Sequence, residues 1–252
     1  MQKYESLIVE KRKDIGIITL NKYENRNALT DILKKELIES IELFEQNEKI
    51  KSIILTGIKG AFCSGGDIKT LSKNTPLESS QSIQQGQNII LKILMCDKPI
   101  IVALNGIASG AGCSIVLAAD VVIATQQAKL MFSFSNIGLI PDLGSMYLLP
   151  KAIGINKSKE IFSLGGELSA DEAFVENIFN RLVDKEVLIK EAVQHAACLN
   201  NRNQRTIKEI KRIINQYWHN DLSKLFEVER KIQSELLCTA DVQKSINEFI
   251  NK

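Results

Sequence analysis

All four prolines (Pro76, Pro99, Pro141, Pro150) and all fourteen glycines of this 252-residue chain fall at or before Gly166. Proline and glycine are the residues that interrupt helices, so the stretch after Gly166 is free to be helical throughout. Before that boundary, apolar runs and amphipathic segments alternate. Strand-like runs cover 5–11, 15–20, 51–56, 99–104 and 120–124; helix-like segments cover 30–46, 81–95 and 111–118; a polar loop is expected over 69–80. Strands that alternate with helices imply parallel β-α-β units, hence an α/β fold. After Gly166, Ser169 followed by Glu172 forms a capping box, and amphipathic segments follow at about 186–199, 203–217, 220–236 and 239–250. In the second of these, Ile207, Ile210, Ile213, Ile214 and Tyr217 recur every three or four residues and predict one apolar face. The expected organisation is a core over 1–185 and a helical region over 186–252 that packs on the core or on another subunit.

With 44% apolar residues the chain can bury a substantial core, and 32 basic against 30 acidic residues leave no field that would draw nucleic acid or a membrane surface. Arg205, Lys208, Lys211 and Arg212 stand at helical spacing and read as a solvated face. Five scattered cysteines without a C-x-x-C spacing argue against a disulfide framework and a metal site, and for a reducing compartment. With no apolar signal region at the start and no run of about 20 apolar residues, the expectation is a cytoplasmic protein.

Two Gly-rich segments, each readable alone as an ordinary turn, gain interest as a pair. Phe62-Cys63-Ser64-Gly65-Gly66-Asp67 follows the apolar run at 52–56, and Gly106-Ile107-Ala108-Ser109-Gly110-Ala111-Gly112 follows that at 99–104. Two such turns at the same edge of one parallel sheet can aim two backbone N–H groups at one ligand oxygen. That arrangement is an oxyanion hole. Cys63 and Cys113 lie inside these turns, but His195 and His219 are both in the tail, so a cysteine nucleophile is disfavoured. The turns lack the G-x-x-x-x-G-K-[ST] spacing of a phosphate loop.

In order and spacing, several segments resemble the crotonase, or enoyl-CoA hydratase/isomerase, family over nearly the whole chain. They are Ile18-Thr19-Leu20-Asn21, Asn25-Arg26-Asn27-Ala28-Leu29, Ala61-Phe62-Cys63-Ser64-Gly65-Gly66-Asp67-Ile68, Lys98 to Gly106, Gly110-Ala111-Gly112-Cys113, Ala119-Asp120 and Gly138-Leu139-Ile140-Pro141-Asp142-Leu143-Gly144. The resemblance implies a spiral of β-β-α units with a C-terminal helical region that builds homotrimers or homohexamers. It implies an acyl-CoA substrate and no separate cofactor. By position, the N–H groups of Gly66 and Ala111 would bind the thioester oxygen. Asn25, Arg26, Ala28, Ala61, Gly65, Asp67, Ile68 and Gly110 would line the CoA and acyl site with Ser114, Phe134 and Pro141. The tail pattern Lys-Arg-x-Pro-x-Phe that many relatives carry does not occur before Lys252.

Hydratases of this family use two glutamates, one to activate water and one to deliver a proton. The resemblance places Ser114 and Phe134 at those positions, and neither can serve. Asp142 remains, directly after Pro141, where the resemblance to the phenylacetate-type epoxide isomerase and enoyl-CoA isomerase branch puts an acid. One carboxylate suffices to move a double bond, because it can take a proton from one carbon and return it to another. Apolar neighbours Ile140, Leu143 and Met146 are expected to raise its pKa by desolvation. The competing structural role for Asp142 is a helix N-cap. Asp67 and Asp120 read as structural partners of nearby backbone or basic groups, and His195 and His219 as packing or surface residues. Decarboxylation, dehalogenation and acyl-CoA binding without turnover are the alternative functions.

Overall fold

In the computed structural model, residues 4–71, 75–218 and 221–251 are described. The strands are β1 (Leu7–Arg12), β2 (Ile15–Leu20), β3 (Ser52–Thr56), β4 (Ala61–Cys63), β5 (Ile100–Leu104), β6 (Ile107–Ser109), β7 (Val121–Thr125), β8 (Lys129–Met131), β9 (Glu167–Ser169) and β10 (Arg181–Val183). The helices are α1 (Asp31–Gln46), α2 (Ile68–Leu71), α3 (Pro76–Met95), α4 (Ala111–Ala118), α5 (Ser145–Ile153), α6 (Ile155–Leu164), α7 (Ala170–Val175), α8 (Leu188–Asn200), α9 (Gln204–Trp218), α10 (Leu222–Leu236) and α11 (Ala240–Ile250).

A six-stranded sheet runs in the order β1-β2-β3-β5-β7-β10, and a four-stranded sheet in the order β4-β6-β8-β9. Each turn of the chain adds one strand to each sheet: β3 then β4, β5 then β6, β7 then β8. The β2-β3, β3-β5 and β5-β7 pairs are parallel, and so are β4-β6 and β6-β8. This is the β-β-α spiral that the family resemblance implies.

The strands of the large sheet are apolar almost without interruption because both faces are covered. Ile53, Leu55, Ile100, Val102 and Leu104 face the main core beneath α1 and α3. The alternate residues Ile54, Ile101, Ala103 and Ile123 meet Leu188, Ala192 and Ala196 of α8. Those three recur every four residues, and the two alanines let the helix lie close to the sheet. Thus α8 covers the outer face of the large sheet.

The polar loop expected over 69–80 is largely helical instead. Thr75 caps α3 by accepting the Glu78 N–H on its hydroxyl, while the Glu78 carboxylate accepts the Thr75 N–H, and Pro76 sits at the first helical position. A capping box with proline there starts a helix despite the polar composition. The Ser169–Glu172 capping box forms as expected and starts α7.

The tail departs from expectation in α9. Ile210, Ile213 and Ile214 are about half exposed, whereas Lys211, expected on a solvated face, is buried. The Lys211 ammonium donates to the carbonyls of Ile93 and Lys98 and pairs with Asp120 at 2.7 Å. Asn215 donates to the Leu94 carbonyl. Carbonyls at the end of α3 and a buried carboxylate thus draw the polar edge of α9 inward and turn its isoleucines outward. Asp120 also accepts the Ile100 N–H, which confirms its structural reading. Removing Lys211 strands a carboxylate in an apolar setting. Lys211→Ala is expected to lower the unfolding free energy by about 3 kcal/mol in urea titration, with Asp120→Asn restoring part of it in that background.

Candidate active site

The two Gly-rich turns meet. Gly65 has φ +93, and a Cβ there would stand 2.8 Å from the Ser109 carbonyl and 3.3 Å from the Ala111 nitrogen. A Cβ at Gly112 would reach within 2.5 Å of the Cys63 carbonyl. Glycine at both points lets the two backbones touch, which brings Gly66 and Ala111 to one place. Ala111 opens α4, so helix geometry leaves its N–H without an intrahelical partner.

The segment 25–28 is stitched onto the first turn. Ser64 donates its N–H to the Arg26 carbonyl and its hydroxyl to the Asn25 carbonyl; Leu29 donates to the Gly65 carbonyl. Asn27, which the sequence reading left out of the site, is fully buried and donates to the carbonyls of Ala61 and Phe62 while accepting the Lys22 N–H. Its side chain holds Asn25, Arg26 and Ala28 beside the turn. Asn25 and Arg26 are exposed and Ala28 is buried. Asp67 accepts the Thr70 hydroxyl at the start of α2, a structural role. Ile68 packs against a cluster formed by Phe134, Leu237, Val242 and Ile246.

Phe134 faces the second turn, its ring 3.6 Å from the Cβ position of Gly110. Ser114 lies one turn along α4 from Ala111. Its hydroxyl donates to the Asp142 carbonyl at 3.0 Å and shares a 2.6 Å hydrogen bond with the Ser145 hydroxyl. Gly65 thus touches Gly110 and Ala111, Gly110 touches Phe134, and Ser114 on the helix that Ala111 opens binds the Asp142 backbone. The loop 140–144, which follows a short 3-10 turn at Ser135–Ile137, carries Asp142 toward α4.

Asp142 is not a helix cap. Gly144 stands at the N-cap of α5 and no side chain caps that end. The Asp142 residue keeps some solvent contact, yet its Oδ1 is buried and accepts no hydrogen bond, while Oδ2 accepts one from Gln233 at 3.3 Å. Burial pushes the carboxyl up from 3.8 to about 7, against the pull of Gln233 and the Lys34 charge. Leu143, with φ +49, occupies the left-handed region, which costs a branched residue on the order of 1–3 kcal/mol. Its side chain fills the space over Gly86 of α3, where a Cβ would come within 2.8 Å of it.

Helix α10 closes this loop from the other side. Gln233 also accepts the Ile140 N–H, and the fully buried Glu229 carboxyl accepts the Gly144 N–H at 3.1 and 3.2 Å. Gln87 of α3 donates to the Phe226 carbonyl and fixes α10 in turn. The sequence analysis missed Gln87, Glu229 and Gln233. A signal was present: Glu229 and Gln233 continue the inward face begun by Leu222 and Phe226, where apolar residues belong.

The cysteines in the turns are inert. Cys63 and Cys113 are fully buried, and burial drives both thiols up, that of Cys63 to about 12. His195 sits partly buried in α8, where burial lowers its pKa. His219 and the Tyr217 and Trp218 side chains lie outside the described residues. Among the described residues, no helix is long and apolar enough to cross a membrane.

Residues 10–252 match the family described as Enoyl-CoA hydratase/isomerase. The chain belongs to that family. It is 31% identical to the 1,2-epoxyphenylacetyl-CoA isomerase of Escherichia coli (strain K12), over 98% of this chain and 96% of that one. It is 32% identical to a probable mitochondrial enoyl-CoA hydratase of Dictyostelium discoideum, over 96% and 87%. The crystal structure of an enoyl-CoA hydratase from Bacillus halodurans superposes with a TM-score of 0.90 at 24% identity, covering 97% of this chain and all of that one, and shows the same crotonase fold.

Asp142 and Glu229 are both buried carboxyls with pKa values above the ordinary range, the second at about 8. Below the ordinary carboxyl range both states of the protein are protonated. As pH rises past it the unfolded chain ionises first, so stability contributed by the protonated carboxyls is lost up to about pH 7 for Asp142 and about 8 for Glu229. The melting temperature is expected to fall by several degrees between pH 5 and about 8.5, and the Asp142→Asn, Glu229→Gln double variant to remove most of that fall. An equal slope in both proteins would contradict the assignment.

Proposed function

We propose that this protein is an acyl-CoA double-bond isomerase of the enoyl-CoA isomerase type, with Asp142 as its single proton shuttle. The observation that carries the proposal is the buried, unpartnered Oδ1 of Asp142, with a carboxyl poised near neutrality, on a residue whose backbone carbonyl is bound by Ser114, one helical turn from Ala111. A base with a pKa close to the working pH is both available and strong enough to act.

In the proposed reaction the Asp142 carboxylate removes a proton from C2 of a 3-enoyl thioester. The C–H electron pair moves toward the carbonyl and leaves a dienolate with its charge on the thioester oxygen. The N–H groups of Gly66 and Ala111 stabilise that charge; loss of one such donor typically costs about 3–4 kcal/mol of barrier. The Asp142 carboxyl then returns its proton to C4, giving the 2-enoyl thioester and restoring the carboxylate. No cofactor enters and no proton is gained or lost overall. Asn25, Arg26 and Ala28 with Ala61, Gly65, Asp67, Ile68, Gly110 and Pro141 are assigned to the CoA and acyl site, and Phe134 to an apolar wall. The exposed Ile210, Ile213 and Ile214 face supports assembly through the tail into a homotrimer or homohexamer.

Ser114 and Phe134 supply no acid or base, which favours isomerisation over hydration, although relatives bearing hydratase names are as similar to this chain. Asp142→Asn is expected to lower kcat for 3-enoyl-CoA to 2-enoyl-CoA conversion on the order of 100- to 10,000-fold, with KM nearly unchanged. The wild-type rate is expected to rise with pH through an acid limb near 7. Hydration of 2-enoyl-CoA by the wild type at rates above its isomerase activity would overturn this reading, as would full activity in Asp142→Asn.

A further inference from the structure

Two buried carboxyls, on different elements, hold the two ends of one three-residue stretch. Asp142 begins it, and the Gly144 N–H that ends it is bound by Glu229 of α10. Nothing in the isomerase scheme uses Glu229. Its carboxyl stands at zero exposure with the Gly144 N–H and the Gln87 side chain as partners, a place where a neutral amide would hold the same N–H without a group that can ionise.

We propose that Glu229 is a positioning residue for the isomerase site: by binding the Gly144 N–H it fixes the loop that carries Asp142, and its own charge state bears on the Asp142 carboxyl beside that loop. This rests on the isomerase reading of Asp142. A second negative charge in the same dry region would oppose the dienolate that the reaction must form. Two titratable groups whose surroundings separate their behaviour are also what a fixed acid/base assignment requires.

The groups that face the pair from each packed element fit this role. Gln87 of α3, Ser114 of α4, Ser145 of α5 and Gln233 of α10 itself are neutral hydrogen-bonding groups. Lys34 of α1 is charged and acts on Asp142, but its ammonium is committed to Ser82 and Asp31. Burial is the main cause that drives Glu229 up, the Asp142 charge adds to it, and the Gly144 N–H and Gln87 oppose it. Because the two carboxyls interact, their titration steps belong to the pair.

The test is the pH profile of kcat/KM for 3-enoyl-CoA isomerisation in the full chain, each protein scaled to its own value at pH 7. The wild type is expected to decline above about pH 8, approaching tenfold per unit, as Glu229 ionises. Glu229→Gln keeps an oxygen for the Gly144 N–H but cannot ionise, and its alkaline decline is expected to vanish. A merely structural Glu229 would lower the rate at every pH and leave the shape unchanged, and that result would overturn the proposal. A carboxyl 13C NMR titration gives a readout apart from turnover. The Glu229 step is expected to move to lower pH in Asp142→Asn, and an unmoved step would also overturn it. Full activity in Asp142→Asn would instead defeat the isomerase reading alone, since the titration still reports whether the two carboxyls are coupled.

Discussion

The structure depends on how one short loop, 140–144, is held. Its carbonyl at Asp142 is bound by Ser114, its N–H groups at Ile140 and Gly144 are bound by Gln233 and Glu229, and Leu143 is seated over Gly86 in a left-handed conformation. Every one of these partners lies on a different element or a distant part of the chain. With its backbone groups taken, the loop has little freedom to turn the Asp142 side chain outward, and the unpartnered Oδ1 is a consequence of that confinement. An unpaired buried carboxylate oxygen costs on the order of 1–3 kcal/mol or more, and such costs are borne where function requires them.

Ser114 takes on a second meaning in this setting. Its hydroxyl is a hydrogen-bond donor to the backbone of Asp142, the residue to which the isomerase reading gives the chemistry. Phe134 is likewise built into the tail, packed with Leu237, Val242 and Ile246 while its ring lies against Gly110. The helical tail therefore packs on these residues from within the same chain: α10 holds the loop, and α11 packs against Phe134.

Much of this was legible in the sequence. Alternating apolar runs and amphipathic segments pointed to parallel β-α-β units, because parallel strands covered on both faces are apolar throughout; the spiral itself came from the family resemblance. The Gly-rich turns were legible because close backbone approach demands glycine, whereas Asp142 was singled out by the resemblance, since its local sequence fits a helix cap equally well. Three features were not read. The capping box of Thr75 and Glu78 was hidden in a polar stretch that reads as loop. Lys211 looked like one of four basic residues on a solvated face, since nothing local announces that Asp120 waits beneath it. Glu229 and Gln233 were lost for the same reason: their partners are some ninety residues away in the chain, and only the fold brings them together. Polar residues in line with Leu222 and Phe226 were the one local sign.

The central claim is that the Asp142 carboxylate reaches both carbons between which a proton is moved. A crystal structure with a bound, unreactive 3-enoyl-CoA analogue tests it most directly. The account predicts Asp142 Oδ1 within about 3–4 Å of both C2 and C4, with the thioester oxygen between the Gly66 and Ala111 nitrogens. An acyl chain that passes away from Asp142, with its C2 hydrogens facing another titratable group, would contradict it.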